Sequence, residues 1–156
     1  MRINSFFPLC SFLLIAGCNV DTYGPPKTLP HLVSVDLVGI SQARIMAASR
    51  RALIANGYPI ESFDAASGRI VSAPRAQSVG QTDADCGTNL TVDYLLDSRT
   101  TTQAAFIVAA RPGQLEVHAK VSARYKADAV TPATLLYCVS RGTFEDEIIG
   151  AIRAQL

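Results

Sequence analysis

Tryptophan is absent from this chain, and its other aromatics are six Phe and five Tyr. A core built from it must rest on Ala, Val, Ile and Leu rather than on large rings. Histidine is nearly missing: His31 and His118 are the only two. That leaves no H-E-x-x-H pair and no histidine cluster of metal-ligand spacing. Charge is sparse, 17% of residues, and balanced, with 14 Lys and Arg against 13 Asp and Glu. A nucleic-acid binder needs a basic excess, so that class is excluded. No G-x-S-x-G elbow, P-loop or G-x-G-x-x-G turn occurs. Asp83 and Asp85 form a D-x-D, but no Gly stands at the sixth position that a calcium loop requires. Nothing argues for catalysis, a cofactor or a metal. What is present is a 156-residue chain, 49% apolar, enough for one packed domain.

The longest apolar run is at the N-terminus. Arg2 precedes a stretch from Phe6 to Ala16, broken only by Pro8 and Ser11. It is shorter than the ~20 residues of a permanent membrane span and suits a secretory signal. The stretch ends in Leu14-Ile15-Ala16-Gly17-Cys18. This segment resembles the lipobox of bacterial lipoproteins. The resemblance implies removal of residues 1–17, so that Cys18 becomes the first mature residue. Its thiol, the best side-chain nucleophile for a thioether, then carries diacylglycerol, and its amine an acyl chain. The other reading is an ordinary cleaved signal with an incidental Cys18. Asn19 rather than Asp follows Cys18. That tilts the expected address towards the periplasmic face of the outer membrane, with inner-membrane retention as the alternative.

The remaining cysteines agree with that address. Cys10 lies in the signal and is discarded. Cys86 and Cys138 are left as an even pair in an oxidising compartment, which predicts one disulfide. Two free buried thiols are the alternative. Neither has a second ligand near enough in sequence for a metal site. Residues 18–34 read as the lipidated cysteine and a tether rich in Pro25, Pro26 and Pro30. Extended, the tether would lift the domain at most about 50 Å from the membrane. The alternative places an edge strand over 32–38 already.

Residues 35–156 read as one periplasmic α+β domain. Ser41 and Gly57 bracket a helix over 41–56 whose apolar face is Ile45, Met46, Ala48, Ala52 and Leu53. Arg44 and Arg51 share another face. A hairpin follows, Tyr58 to Phe63 and Arg69 to Ala73, turning at Asp64, Ser67 and Gly68. Residues 74–90 form a polar loop pinned by Cys86, and 91–98 are ambiguous between a strand and a helical turn. Residues 102–111 are β-rich, and Pro112-Gly113-Gln114 is turn chemistry. Residues 115–125 then alternate strictly. Leu115, Val117, Ala119, Val121, Ala123 and Tyr125 point one way, and Glu116, His118, Lys120, Ser122 and Arg124 the other. Residues 133–140 make another strand. Thr143 caps a final helix over 144–155 with stripe Phe144, Ile148, Ile149 and Ile152, and Glu145, Asp146 and Glu147 suit its positive N-terminus. The predicted order is α-β-β-loop-β-β-β-α, an antiparallel sheet of about five strands bracketed by an N-terminal and a C-terminal helix.

Residues 47–74, AASRRALIANGYPIESFDAASGRIVSAP, run helix, Gly-Tyr, strand, turn, strand. This resembles the units of BamC-like outer-membrane assembly lipoproteins, and implies a helix packed on a curved antiparallel sheet. It supplies no binding residue. The expected function is a non-catalytic binding or scaffold module, held to the membrane by lipid and facing an envelope protein partner. Two contact surfaces are candidates: Arg44 and Arg51 on the first helix, and Glu116, His118, Lys120 and Arg124 on the alternating strand. The alternatives are an inhibitor of a periplasmic enzyme of the lysozyme-inhibitor kind, presenting loop 74–90, or an enzyme with an unrecognised site around His118.

Overall fold

A computed structural model describes residues 23–156. The signal segment, the lipobox and Cys18 lie outside the described residues. In chain order the elements are β1 (Tyr23–Gly24), β2 (Val33–Asp36), α1 (Gln42–Ala55), β3 (Ile60–Asp64), β4 (Arg69–Ser72), β5 (Arg75–Ala76), β6 (Ala84–Asp85), β7 (Thr88–Asn89) and β8 (Val92–Asp93). A 3-10 turn over Tyr94–Leu96 follows, then β9 (Thr100–Arg111), β10 (Gln114–Tyr125), β11 (Thr134–Ser140) and α2 (Thr143–Arg153).

The hairpin of β9 and β10 is the spine. All twelve residues of each strand pair in unbroken antiparallel register, from Arg111↔Gln114 to Thr100↔Tyr125. Pro112 and Gly113 make its turn. Gly113 has φ +75°, the left-handed position that Pro-Gly turns place second and that glycine takes without a steric penalty. Beyond β9 lie β4 and then β3, with β5 continuing along β9 after β4 ends. Beyond β10, its first half pairs with β2 and its second half with β11, which passes on to β6. The result is one antiparallel sheet of eight strands.

The α+β class, the two helices and the antiparallel sheet are as expected, but five strands is too few. The main sheet has eight and a small sheet, β1-β7-β8, has three more. All five expected strands are present as β3, β4, β9, β10 and β11. Of the additions, five are two-residue strands, too short to carry a period-two pattern. The remaining one, β2, is the edge strand weighed above for 32–38.

Both helices lie on one face of the sheet. Ile45, Met46, Ala48, Ala52 and Leu53 of α1 and Phe144, Ile148, Ile149 and Ile152 of α2 are buried against Ile70, Phe106, Val108, Leu115, Val117 and Val121. Each fully buried Leu, Ile or Phe contributes about 1.5–3 kcal/mol. The alternation of β10 is met at every position: its odd residues from 115 to 125 are buried and its even ones are not. Ser41 caps α1 through its hydroxyl, which accepts from the Arg44 amide at 3.4 Å. At α2 the expected cap is corrected. Gly142 occupies the cap position and no side chain caps it, while the Thr143 hydroxyl donates weakly to the Thr82 carbonyl. Gly142 has φ +103°, and a Cβ there would come within 2.9 Å of the His31 ring.

That contact belongs to a larger difference. From Tyr23 onwards the expected tether lies on the domain. β1 pairs with β7, and Asp85 Oδ2 accepts from the amides of Lys27 and Thr28 at 2.9 and 3.0 Å and from the Thr28 hydroxyl at 2.9 Å. Prolines keep this segment extended, and an extended chain leaves its amides free to dock. Cys86 and Cys138 are joined by a disulfide. It continues the β6–β11 ladder one step past Val139↔Asp85, beside a second cluster of Tyr94, Ala123, Tyr125 and Leu136.

Candidate functional site

The helices leave the other face of the sheet uncovered. Strand register fixes what stands there. His118 faces Ile107, Lys120 faces Ala105, and Ser122 faces Gln103 across β9–β10. On the other flank Ser122 faces Tyr137 and Arg124 faces Leu135 of β11. Ile107 in turn faces Val71 of β4. All of these except Ile107 line a groove of ≈ 530 Å³, to which His31 and Glu61 also contribute. Its floor is part apolar, from Val71 and Ala105. Its wall on β11 is unusually greasy for a surface, with Tyr137 75% and Leu135 47% exposed. Lys120 and Arg124 supply cations, and the Gln103 amide donates to the Ser122 hydroxyl at 3.1 Å.

Of the expected strand surface, His118, Lys120 and Arg124 therefore line one groove. Glu116 lies on the same strand but outside the lining, where its carboxylate is 3.4 Å from Arg111 Nη1. The expected helix surface is not joined to it. Arg44 and Arg51 lie on the far side of the sheet and turn to the C-terminal end of α2. Arg44 donates to the Leu156 carbonyl, and Arg51 donates to the Gln155 carbonyl at 2.9 Å. Both acceptors lie in the chain just past the end of α2, and both bonds are exposed. Arg50 lies over the Phe63 ring, 5.9 Å from its centroid.

Beneath the groove the spine has a gap on each side. Phe106 and Ala119 face one another across β9 and β10. On the β9 side, β4 pairs as far as Ile107 and β5 begins at Ala104. On the β10 side, β2 ends at Val117 and β11 begins at Val121. The amides stranded in these gaps find side chains. The Phe106 amide donates to the Ser72 hydroxyl at 2.8 Å, and the Ala119 amide to Glu145 Oε1 at 2.9 Å. Glu145 Oε2 accepts from the Ser140 hydroxyl at 2.6 Å. Glu145 is fully buried. The sequence points to its place in the first turn of a helix, and that is correct, but its side chain turns inward to complete the sheet. No local pattern marks that.

Asp85, a loop acid by sequence, is a second residue whose role only the assembled structure reveals. Besides Lys27 and Thr28, it accepts from the Gly87 amide at 2.9 Å, and Arg141 lies 3.8 Å away. Burial raises the pKa of its carboxyl, but the amides of Gly87, Thr28 and Lys27 outweigh that and hold it below the usual aspartate value. The one available signal is its place next to Cys86, whose disulfide fixes it. Loop 74–90 is likewise tied down through β5 and β6, with Val79, Ala84, Cys86 and Gly87 buried while Gln81 and Thr82 at its crest are exposed.

Among the described residues no group of three or more His, Cys, Asp and Glu is placed to hold a metal, and no helix is long and apolar enough to cross a membrane. The groove offers cations, one imidazole on its floor and apolar side chains. This arrangement suits binding of an acidic, partly apolar surface. No family model and no curated protein matches the chain. Among solved structures it is similar to a DUF4468 family protein from Bacteroides ovatus, at 18% identity and a TM-score of 0.43, over 67% of this chain and 58% of that one. It is also similar to a TBP-like protein from Parabacteroides distasonis, at 12% identity and a TM-score of 0.42, over 67% of this chain and 62% of that one. The chain spans less than two thirds of either protein.

Proposed function

We propose that this chain is a lipoprotein of the outer membrane, anchored through Cys18, whose periplasmic domain binds an envelope protein across the open face of its sheet. The observation that carries the reading is the asymmetry of the sheet. Both helices cover one face, while the other exposes Tyr137 and Leu135 beside Lys120 and Arg124. A sheet face that needed no partner would be polar throughout, as wet faces of antiparallel sheets usually are. Large exposed aromatics beside cations are what binding surfaces concentrate. The lipobox supplies the anchor, and the disulfide suits an oxidising compartment.

The test is site-specific photocrosslinking in intact cells. A photoreactive residue at Tyr137 should trap one discrete envelope protein. The same residue at Arg50, on the helix side, should trap none. Equal labelling from both positions, or none from Tyr137, removes the groove as the binding surface. Mass spectrometry of the Cys18 peptide checks the anchor separately.

A further inference from the structure

The chain reaches the domain at one particular corner. β1 begins at Tyr23, five residues beyond Cys18. An extended chain covers ~3.3–3.6 Å per residue, so this leash is about 18 Å at most. Whatever surface surrounds Tyr23 is held near the lipid.

That surface is apolar. Tyr23, Leu90 and Val92 are 44%, 63% and 55% exposed. Tyr23 faces Asn89, and Asn89 faces Val92, across β1, β7 and β8, so Tyr23 and Val92 share one face of the small sheet with Asn89 between them. Leu90 and Thr91 form the tip of the β7–β8 hairpin, both left-handed at φ +47° and +73°. Two-residue hairpin turns of this kind normally hold Asn-Gly. A β-branched Thr is a true outlier there. The chain thus keeps an unfavourable turn whose product is an outward Leu. The charges beside it give no basic excess. Asp97 pairs with Arg99 at 2.6 Å, and Asp93 accepts from Gln81 and from the Leu95 amide.

We propose that Tyr23, Leu90 and Val92 form a membrane-contacting tip, seated in the headgroup and upper acyl region of the bilayer that holds Cys18. This inference rests on the lipid-anchor reading. Tyr suits the membrane interface, and Leu and Val suit the acyl boundary. The contact is apolar, so it is insensitive to salt. It also orients the domain. The spine runs from this end, at Tyr125, to the Pro112–Gly113 turn, twelve residues or ~40 Å away. The far turn is thereby held out in the periplasm with the groove along its side.

The absence of native Trp makes the experiment clean. The full chain is produced in a bacterium that processes lipoproteins, then reconstituted in vesicles of phosphatidylethanolamine and phosphatidylglycerol. Leu90→Trp should emit further to the blue on these vesicles and be quenched by brominated acyl chains, at low and high salt alike. Val38→Trp, an exposed site at the far end of the spine, should be neither shifted nor quenched. Val92→Trp, on ordinary strand backbone, gives the same reading if the turn variant folds poorly. Protein that floats with the vesicles but leaves both tip tryptophans unquenched overturns the tip and keeps the anchor. Quenching of Trp at 38 as well, or loss of quenching in salt, overturns the orientation or the apolar contact. Protein that does not float removes the anchor and the tip with it.

Discussion

Replacing Glu145 tests the central feature of the fold. Its carboxylate satisfies the Ala119 amide, which falls between the end of β2 and the start of β11, and it receives the Ser140 hydroxyl. Glu145→Ala leaves the Ala119 amide and the Ser140 hydroxyl proton buried without an acceptor. Each such orphan costs about 1–3 kcal/mol, and loss of the buried side-chain methylenes adds a cavity. The sum is about 3–5 kcal/mol, against a total stability of about 5–15 kcal/mol for an ordinary domain. Glu145→Gln behaves differently. Its carbonyl still accepts from Ala119, and its amide donates to Ser140 Oγ, which already accepts from the Gly142 amide. Only the serine proton loses its acceptor, a loss of about 1 kcal/mol.

The assay is urea unfolding of the disulfide-intact domain, followed by circular dichroism. With m near 1–3 kcal/mol/M, the alanine variant should shift the midpoint down by roughly 1–5 M and the glutamine variant by under about 1 M. An unchanged m is required for either shift to be read as stability. Two outcomes refute the reasoning. If Glu145→Ala lies within about 1 kcal/mol of the parent, water or another group fills the gap and the carboxylate is incidental. If Gln is as damaging as Ala, the charge itself matters and the ladder-completing role is wrong.

Other consequences are equally open to measurement. Reducing the Cys86–Cys138 bond releases a 52-residue separation; the chain-entropy model gives about 4 kcal/mol, and melting should fall by on the order of 10 °C. Asp85→Ala should speed hydrogen exchange at the Lys27 and Thr28 amides while the spine stays protected. Because the folded Asp85 carboxyl titrates below its ordinary value, its contribution is full above the unfolded aspartate value of ~3.9 and is lost as pH falls through the folded one. Exchange at those amides should therefore accelerate only on that acid side. Val117→Asp buries an unpaired carboxylate and should cost several kcal/mol, whereas Lys120→Ala should change stability by under about 0.5 kcal/mol. Changing Leu90 to Asn together with Thr91 to Gly relieves two left-handed residues and should raise stability by about 1 kcal/mol or more. The same pair takes Leu90 out of the apolar tip, so stability should rise while membrane contact weakens.

Where the sequence is legible, the reason is local. β10 announces its two faces because each residue has one neighbour above and one below, and eleven residues of alternation leave no second register. α1 and α2 announce their stripes for the same reason, at the helical period. Short strands carry no such signal. Ala84–Asp85 and Arg75–Ala76 become strands only because β11 and β9 present open edges to them. The docking of residues 23–31 is equally hidden, because prolines that keep a tether extended also prepare it to lie on a domain. What decides between the two is Asp85, a residue more than fifty positions away.

Charged side chains mislead in a systematic way. A charge on a helix is most often solvated, and Glu145 reads so by position. Yet Glu145 closes a break in β10. Its partner is a backbone amide stranded where the neighbouring strands stop. Such stranded groups are a property of the assembled topology, since they exist only once β2 and β11 have divided one strand edge between them. Once they exist, burial demands a partner for them. This leaves the cations on the other face, Lys120 and Arg124, in a different position. Neither side chain has a hydrogen-bond or ion-pair partner among the described residues, and both stand beside exposed Tyr137 and Leu135, which is the ground for proposing a binding surface there.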